Sequence, residues 1–338
     1  MLTDRLNGRR LRVALVADSL TRSCLQNECE ILDLTPNNYE QALVRFKPDF
    51  IFFESVWHGH QDAWVSKVAS YPWYRFRSNK DLVKLTDFAR SIGIPTVFWC
   101  KEDGVHFHRF INSARHFDHV LTVDTNCIER YKAVLGPSAS VGVLPFPVQP
   151  RFHAFTGFDF KYRSASFLGS YSRHIHSARR AWQDMAFTSL LDAGMGLTIF
   201  DRNSSRKSGI YRYPELPGAV VLPALPHDQT SSVYKDYMVS LNVNTVTDSS
   251  SMYSRRLVEI LACGGIAVTS PAKSVDILFK DYCHVVADAR QASEIFARFS
   301  KDGLTSDDLE RARAGADYVL REHTWSRRLG EIVEWLNL

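Results

Sequence analysis

Short apolar segments rich in β-branched and aromatic residues recur along the chain and alternate with stretches of helical periodicity. Segments apolar on both faces are typical of strands in a parallel sheet that helices cover on two sides. The first half predicts strands at Leu11–Ala17, Glu30–Leu34, Asp49–Glu54, Pro95–Cys100, His119–Val123 and Val141–Phe146. Helices are predicted between them at Asn38–Phe46, Ser78–Ile92, Val105–Arg115 and Asn126–Leu135. This half is therefore expected to be an α/β domain.

A proline-rich stretch at residues 145–159 follows and is the best candidate for a linker. The alternation then restarts, with strands predicted at Ser164–Leu168, Leu197–Phe200, Ala219–Leu222, Val239–Val243, Ile266–Thr269 and His284–Ala287. The intervening helices are predicted at Ser177–Ala193, Asp228–Met238, Ser254–Cys263, Ala292–Phe299 and Ser306–Arg321. We predict two α/β domains, residues 1–150 and 160–322, with an amphipathic helix at 324–338. Ligands of such domains bind outside the carboxyl ends of the strands.

Composition narrows the class of protein. The formal charge of +4 over 338 residues gives no support for a nucleic-acid binder. The six cysteines form no Cys-x-x-Cys pair and lie in apolar or helical segments, which is typical of reduced thiols in a cytoplasmic protein. Asp4 and Arg5 interrupt any apolar run near Met1, so no signal peptide is expected, and no apolar run reaches the ~20 residues of a membrane span. Peripheral membrane contact is left open.

The stretch Ser250–Pro271 carries the most informative chemistry. It predicts a serine-rich loop, a short helix, a Gly-Gly break and a strand. Arg255 and Arg256 fall in the first helical turn, where the exposed amides already carry partial positive charge, so an anion in front of them would resolve the conflict. Glu259 lies one turn later on the same face, placed either to hold a sugar hydroxyl or to form a surface pair with Arg255. The first alternative predicts a site for a nucleoside diphosphate.

Other strand ends of the second half carry similar signals. Gly169–Ser172 joins a strand to a helix through small residues, which either leaves amides free for an anion or forms a plain turn. Asp201 and Arg202 are polar residues at the end of the next strand. Asn242 and Asn244 end the fourth strand, and because Asn is depleted in strands they indicate either a binding surface or an Asx turn.

In the first half, polar residues follow two buried strands. Glu102 and Asp103 precede a helix that carries His106, an arrangement suited to a general base or to binding sugar hydroxyls. The alternative is that one of the carboxylates only caps the helix. Glu54, Trp57 and His58 follow another strand, where an aromatic ring beside a carboxylate suits a sugar. His58-Gly-His60 lacks a third ligand at metal-site spacing, so no metal is expected.

These residues together resemble the CgeB-like glycosyltransferases, within the group-1 type of GT-B enzyme. The resemblance covers most of the chain. In the first half it rests on Glu54–Trp57, Gly59, Trp64, Pro95–Trp99, Glu102-Asp103, Phe117-Asp118, Val123-Asp124 and Leu144–Phe146. In the second half it rests on Gly169–Tyr171, Asp201-Arg202, Leu241–Asn244, Arg255-Arg256, Glu259 and Ala262–Gly265.

The resemblance implies two Rossmann-like domains facing across a cleft, with the final helix packed on the first domain. It implies metal-independent transfer of a sugar from a nucleoside diphosphate to a hydroxyl acceptor, in polysaccharide, cell-envelope or spore-surface glycan synthesis, without a cofactor. The donor residues are expected to be Gly169, Ser170, Tyr171, Arg173, Asp201, Arg202, Asn244, Ser254, Arg255, Arg256 and Glu259. The catalytic residues are expected among Asp103, Glu102 and His106, and the acceptor residues among Glu54, Trp57 and His58.

One residue departs from the family pattern. Many group-1 enzymes carry a glutamate eight positions before the one that corresponds to Glu259, and here that position is Ser251. The earlier glutamate contacts the donor sugar in those enzymes, so its absence leaves open a non-catalytic binding protein. A second alternative is a sugar-nucleotide epimerase or hydrolase of the same fold.

Overall fold

A computed structural model describes residues 9–74 and 76–338. The first eight residues of the predicted 1–150 domain, including Asp4 and Arg5, and also Arg75 lie outside the described residues. The described chain forms two compact units. The first comprises residues 9–146, 250–252 and 325–338, and the second comprises 147–249 and 253–324. Residues 147–150 thus belong to the second unit, and three residues of the serine-rich loop belong to the first.

The first unit contains a parallel sheet of six strands within the described residues, in the order β2-β1-β3-β4-β5-β6. The strands are β1 Arg12–Val16, β2 Glu30–Asp33, β3 Phe50–Glu54, β4 Thr96–Cys100, β5 His119–Thr122 and β6 Ser140–Val143. The helices are α1 Ser19–Leu25, α2 Tyr39–Phe46, α3 Lys80–Ser91, α4 Asp103–Ala114, α5 Ile128–Leu135 and, at the end of the chain, α12 Trp325–Trp335. The strand order reverses between β1 and β3, which is where α/β sheets bind ligands.

The second unit repeats the architecture with the order β12-β11-β10-β7-β8-β9, again all parallel. Its strands are β7 Tyr162–Gly169, β8 Leu197–Asp201, β9 Ala219–Pro223, β10 Tyr237–Asn242, β11 Ala267–Thr269 and β12 His284–Val285. Its helices are α6 Ser177–Asp192, α7 Thr230–Asp236, α8 Arg255–Ala262, α9 Lys273–Leu278, α10 Ala289–Asp302 and α11 Ser306–Glu322. This is the 3-2-1-4-5-6 order of dinucleotide-binding sheets, with its switch point between β7 and β10.

Aromatic side chains pack the end of the chain into the first unit. The ring of Trp325 lies 6.3 Å from that of Phe52 and 5.5 Å from that of Trp99, both on central strands. All three side chains are fully buried. Burial of such large rings stabilises the packing of α12 on this sheet by several kcal/mol, on the order of 2 kcal/mol for each ring.

The proline-rich stretch contains the boundary between the two units, which falls between Phe146 and Pro147 as the predicted linker requires. His153 is completely buried, and its Nε2 lies 2.8 Å from the hydroxyl of Thr230 at the start of α7. Phe155 packs against Gly264, where an added Cβ would collide with the Phe155 ring. From Pro147 onward the stretch therefore also contributes to the packing of the second unit.

Two short helices, α1 and α9, were not predicted, because seven and six residues are too few to show a clear helical period. The predicted helix 228–238 is also shorter than expected, since β10 begins at Tyr237. No helix in the described part of the chain has both the length and the apolar character needed to span a bilayer.

Candidate functional site

The switch point of the second unit is built around Gly169, the last residue of β7. A Cβ added at this position would lie 2.5 Å from ring atoms of Phe167 and 2.9 Å from the Arg256 guanidinium. The space that a side chain would need is therefore occupied by Arg256, which comes from the first turn of α8. Glycine is required here because two other side chains fill the position.

Arg256 is a buried cation whose contacts are all with neutral groups. Its Nε donates to the carbonyl of Leu168, and its Nη1 donates to Asn242 Oδ1 at 3.3 Å. The guanidinium also lies 4.6 Å above the ring of Phe167. No ion pair joins Arg256 to a carboxylate in the described residues, and burial lowers its pKa. Because a buried charge without a counter-charge is costly, an anionic ligand would stabilise this arrangement.

Arg179, in the first turn of α6, contributes a second positive charge near Arg256. Its Nη2 donates to the carbonyl of Ser170 at 3.2 Å, while its buried Nε has no hydrogen-bond partner in the described chain. Burial lowers the pKa of Arg179 to about 10, and the positive charges of Arg256 and Arg202 act in the same direction. The three guanidiniums thus repel one another, which an anion would relieve.

A cavity of about 200 Å³ opens beside this group, and no acidic residue lines it. Its walls include Ser170 and Asn203 together with the cations Arg179, Arg180 and Arg206. Arg179 was not among the predicted donor residues. Its sequence carries the same feature as Arg255 and Arg256, an Arg-Arg pair at the start of a helix.

The Asn242–Asn244 pair anchors the start of α8. Asn244 Oδ1 accepts a hydrogen bond from the backbone amide of Ser254 at 3.0 Å, while the Ser254 side chain makes no capping bond. Asn242 Oδ1 holds Arg256, and its Nδ2 donates to Thr269 Oγ1 at 2.8 Å. Both asparagines are buried. They therefore orient the helix and its arginine from inside the unit.

Glu259 is buried one turn into α8 and uses both carboxylate oxygens. His227 Nε2 lies 2.8 Å from Oε1, and the Tyr234 hydroxyl lies 3.3 Å from Oε2. Burial acts to raise the pKa of Glu259, but the His227 hydrogen bond and the charges of His153, His227 and Arg255 outweigh it and lower the pKa to about 2. Burial lowers the pKa of His153 to about 4. No sequence pattern pointed to His227.

His153, His227 and Glu259 also form the group best suited to a metal ion in the described chain. One possible ligand atom from each lies within 4.8 Å of the others. The Nδ1 atoms of both histidines are buried without a partner in the described residues. Residue spacing had given no sign of this group, since the three positions are far apart along the chain.

Tyr171 and Asp201 are buried, and their side chains bond within the second unit. The Tyr171 hydroxyl donates to Asp184 at 2.8 Å, and Asp201 lies 3.4 Å from the Arg212 guanidinium. The remaining predicted donor residues are partly or fully exposed along the Gly169 loop, the end of β8 and the start of α8: Ser170, Arg173, Arg202, Ser254 and Arg255.

The switch point of the first unit carries charges of both signs. Glu54 is fully buried at the end of β3, where it accepts hydrogen bonds from the Asp18 amide at 2.7 Å and the Thr21 hydroxyl at 2.6 Å. The Lys101 ammonium lies 2.9 Å from Glu54 Oε1 and 2.6 Å from Asp18 Oδ2. Two carboxylates and one ammonium thus neutralise each other in part. Glu54 has no exposed surface with which to contact an acceptor, and its carboxylate instead positions Lys101.

Glu102, Trp57 and His106 come together beside this network. Burial raises the pKa of Glu102, opposed by the charge of Lys101 and a hydrogen bond from Trp57. The His106 ring meets the Trp57 ring edge-on, with 5.3 Å between centroids. The backbone at His106 leaves the helical region (φ −121°, ψ 24°), so α4 is kinked at this residue. All three side chains are partly exposed, which makes them available to a ligand.

Asp103 and His58 lie in different surroundings. Asp103 is 1% exposed, and its Oδ1 accepts a hydrogen bond from the Tyr131 hydroxyl at 2.8 Å. Burial raises the pKa of Asp103 to about 6, although hydrogen bonds to the carboxylate oppose it. His58 is exposed and lies 2.8 Å from Asp62. The side chains of these two residues thus contact other partners than Glu102, Trp57 and His106.

Comparisons with known proteins agree with this architecture. Residues 179–334 match the model of a family described as glycosyl transferase-like. A search of curated protein sequences found no match. Among solved structures, an α-glucosyltransferase in complex with UDP and DNA is similar, with a TM-score of 0.66 and 12% identity over 98% of this chain and all of the other.

Two further structures are similar over nearly the whole chain. Sucrose-phosphate synthase from Thermosynechococcus elongatus gives a TM-score of 0.56 with 10% identity, covering 97% of this chain and 99% of the other. Anabaena HepE in complex with UDP and glucose gives 0.57 with 12% identity, covering 99% and 94%. At such identities the likeness concerns the fold. The chain has the GT-B fold of two Rossmann-like domains, and its second half matches the glycosyl transferase-like family model.

Proposed function

We propose that the protein is a glycosyltransferase that moves a sugar from a nucleoside diphosphate donor to a hydroxyl group. The observation that carries the proposal is Arg256, a buried cation without a carboxylate partner in the described chain, at the switch point of a dinucleotide-type sheet. A diphosphate supplies the missing negative charge. The GT-B fold and the family match over residues 179–334 support the same class of reaction.

In this proposal the second unit stabilises the leaving group. As the bond to the sugar breaks, negative charge grows on the diphosphate, and Arg256, Arg179 and the amides at the start of α8 are already oriented toward an anion. Glu259 binds the ribose. Its 3.3 Å contact with Tyr234 is the longer of its two hydrogen bonds, so a ribose hydroxyl can replace it while His227 keeps the carboxylate in place.

The acceptor then lies at the first unit, beside Glu102, Trp57 and His106. A raised pKa makes Glu102 a better proton acceptor, because a base works best when its pKa approaches the working pH. The Trp57 ring offers an apolar face to a sugar. If the reaction inverts the anomeric configuration, Glu102 removes the proton of the acceptor hydroxyl. If the reaction retains the configuration, Glu102 orients that hydroxyl. Asp103, buried against Tyr131, supports the start of α4.

Several finer assignments belong to the same proposal. We assign the chain to the CgeB-like group, acting in polysaccharide, cell-envelope or spore-surface glycan synthesis without a metal or cofactor. A cytoplasmic location fits six cysteines that are all free and buried. Transfer that is unchanged by chelation with EDTA would support metal independence, whereas lost activity would point to the group of His153, His227 and Glu259.

One observation favours a second candidate, a binding protein without transfer activity. Ser251 replaces the glutamate of related enzymes, and its hydroxyl is already engaged in the first unit. It donates to the Val123 carbonyl at 2.9 Å and accepts from the Thr125 amide at 2.9 Å. Donor binding without turnover under any acceptor condition would select this candidate. Donor breakdown without an acceptor would select the epimerase or hydrolase.

The first experiment is thermal unfolding of the protein with UDP, GDP, TDP and CDP. At least one should raise the midpoint by several degrees, because a ligand that binds only the folded state stabilises it. Arg256→Gln should weaken the binding of that nucleotide about 100-fold, since it removes a charge-assisted contact. Arg290→Gln, in an exposed pair with Glu294 on α10, is the control and should bind normally. The donor site is contradicted if no nucleotide stabilises the protein.

A further inference from the structure

An exposed aromatic surface lies on the loop before α3, and none of its residues is among those assigned to transfer. Trp73 and Phe76 are 93% and 103% exposed, and Tyr74 is 57% exposed. Large aromatic side chains are normally placed where at least one face is covered, because their burial contributes most to folding. Three exposed rings within four positions therefore indicate a surface that something else covers.

Backbone hydrogen bonds join described residues of this loop. The Tyr74 amide donates to the Tyr71 carbonyl at 2.9 Å, and the Arg77 amide donates to the Tyr74 carbonyl at 3.0 Å. The Arg77 guanidinium lies 4.7 Å and 4.5 Å from the ring centres of Tyr71 and Tyr74. Asn79 Nδ2 donates to the Asn112 carbonyl of α4 at 3.2 Å. The rings are thus presented on a turn tied to the helix that carries His106.

Positive charge accompanies the rings. Arg77, Lys80 and Lys84 are exposed, and the two lysines are one helical turn apart on the same face of α3. The nearby carboxylates of α3 are already neutralised. Asp81 pairs with Lys67, and Asp87 pairs with Arg90 at 3.1 Å. We call Trp73, Tyr74, Phe76, Arg77, Lys80 and Lys84 together the aromatic–basic patch.

We propose that the aromatic–basic patch docks the protein on an anionic lipid bilayer. Fully exposed rings that stand out from the surface insert into a soft medium, whereas a protein partner packs against a groove or a flat face. Trp and Tyr favour the membrane interface because their apolar rings carry a polar edge. Lys and Arg beside them bind anionic headgroups. This inference is independent of the proposed sugar transfer.

Sedimentation of the whole protein with lipid vesicles tests the proposal. The protein should bind vesicles of phosphatidylcholine with about 30% phosphatidylserine and bind phosphatidylcholine alone at least about tenfold more weakly. Trp73→Ser/Phe76→Ser should reduce binding to anionic vesicles at least about tenfold, because the inserted rings are lost. Lys80→Gln/Lys84→Gln should reduce it about tenfold at low salt and remove most of its salt dependence.

Matched substitutions outside the patch serve as controls. Ile277→Ser removes a side chain that is 57% exposed on α9, and Lys273→Gln/Lys301→Gln removes two exposed lysines of the second unit. Both should bind vesicles like the unsubstituted protein, and all variants should keep their thermal midpoints. Failure of the unsubstituted protein to bind anionic vesicles, or equal binding by the patch variants, overturns the proposal. The proposal is also overturned if light scattering shows that the unsubstituted protein is a dimer and that Trp73→Ser/Phe76→Ser is a monomer.

Discussion

The two units have the same kind of sheet but carry opposite chemistry at the point where the strand order reverses. In the second unit, Arg256 and Arg179 meet there without a carboxylate partner in the described chain. In the first unit, Lys101 lies between Asp18 and Glu54, so its charge is compensated. The architecture places a site at each switch point, and the residues at the strand ends decide what it binds.

This difference separates the two ligands of the proposed reaction. An anion should bind more favourably to the second unit than to the first, because it relieves the repulsion between the guanidiniums there. A neutral polyol suits the first unit, where Trp57 and His106 provide ring surfaces and Glu102 provides a proton acceptor.

The largest effect is expected from Glu102→Gln. If Glu102 is the base of the first unit, the substitution should lower kcat about 10²- to 10⁴-fold, the usual range for loss of general base catalysis. Binding of the nucleotide by the second unit should remain within about twofold. Release of nucleoside diphosphate in the presence of an acceptor measures the first quantity, and titration calorimetry measures the second.

Asp103→Asn is the matched comparison, since it changes the adjacent carboxylate. Because Asp103 is buried against Tyr131, its substitution should lower kcat less than about tenfold. The reverse order, with Asp103→Asn more damaging than Glu102→Gln, would assign the base to Asp103 and contradict the division described above.

A smaller effect is expected from Gly169→Ala in the second unit. The added methyl group would collide with Phe167 and with the Arg256 guanidinium, so Arg256 must move. Nucleotide affinity should fall at least about tenfold, while Gly209→Ala, with open space at its Cβ and an ordinary backbone, should bind normally. Calorimetry on both variants checks this. Equal affinities would show that Arg256 does not contact the nucleotide.

The sequence was sufficient to predict the fold. Strands buried on both faces and alternating with amphipathic segments specify a parallel α/β sheet, so twelve predicted strands all correspond to observed ones. The predicted boundaries differ by a few residues at places such as Val141–Phe146, where the observed strand is Ser140–Val143. The short helices α1 and α9 were not predicted, because six or seven residues show little helical periodicity.

The site could be predicted only where a residue contradicts its local surroundings. Arg256 was found because a cation at a helix start is unfavourable, and Glu102 because it follows a buried strand. His227 and Tyr234 reach Glu259 only through the tertiary fold, so no local pattern could reveal them. The burial of Asp103, one residue beyond Glu102, likewise depends on how α4 packs on Tyr131.

The ionisable groups of the second unit should make it sensitive to acid. The pKa of Glu259 falls from its ordinary 4.5 to about 2 on folding, so its contribution is complete above pH 4.5 and lost as the pH falls toward 2. The pKa of His153 falls from 6.5 to about 4, which likewise removes stability as the pH decreases from 6.5 to 4. Glu259→Gln should therefore cost about 3 kcal/mol at pH 7.

Hydrogen exchange of the α8 amides at pH 7 and pH 3 measures this contribution locally. The difference between the unsubstituted protein and Glu259→Gln should be about halved at pH 3, because that pH lies between the unfolded and folded pKa values of Glu259. Glu310→Gln, at an exposed position on α11, is the control and should leave α8 unchanged at both pH values. A difference that stays constant with pH would mean that the ionised carboxylate of Glu259 does not stabilise the unit.

The first unit should respond to pH in the opposite direction. Burial raises the pKa of Asp103 from 3.8 to about 6, so between these values the folded state binds more protons than the unfolded state, and stability falls as the pH rises. Asp103→Asn removes the buried charge and should stabilise α4 by about 1–2 kcal/mol at pH 7.5, with the gain vanishing near pH 4. Hydrogen exchange of the α4 amides at pH 7.5 and pH 4 measures this gain in stability. An equal gain at both pH values would show that asparagine packs better, and would contradict the loss of a charge that the first unit buries.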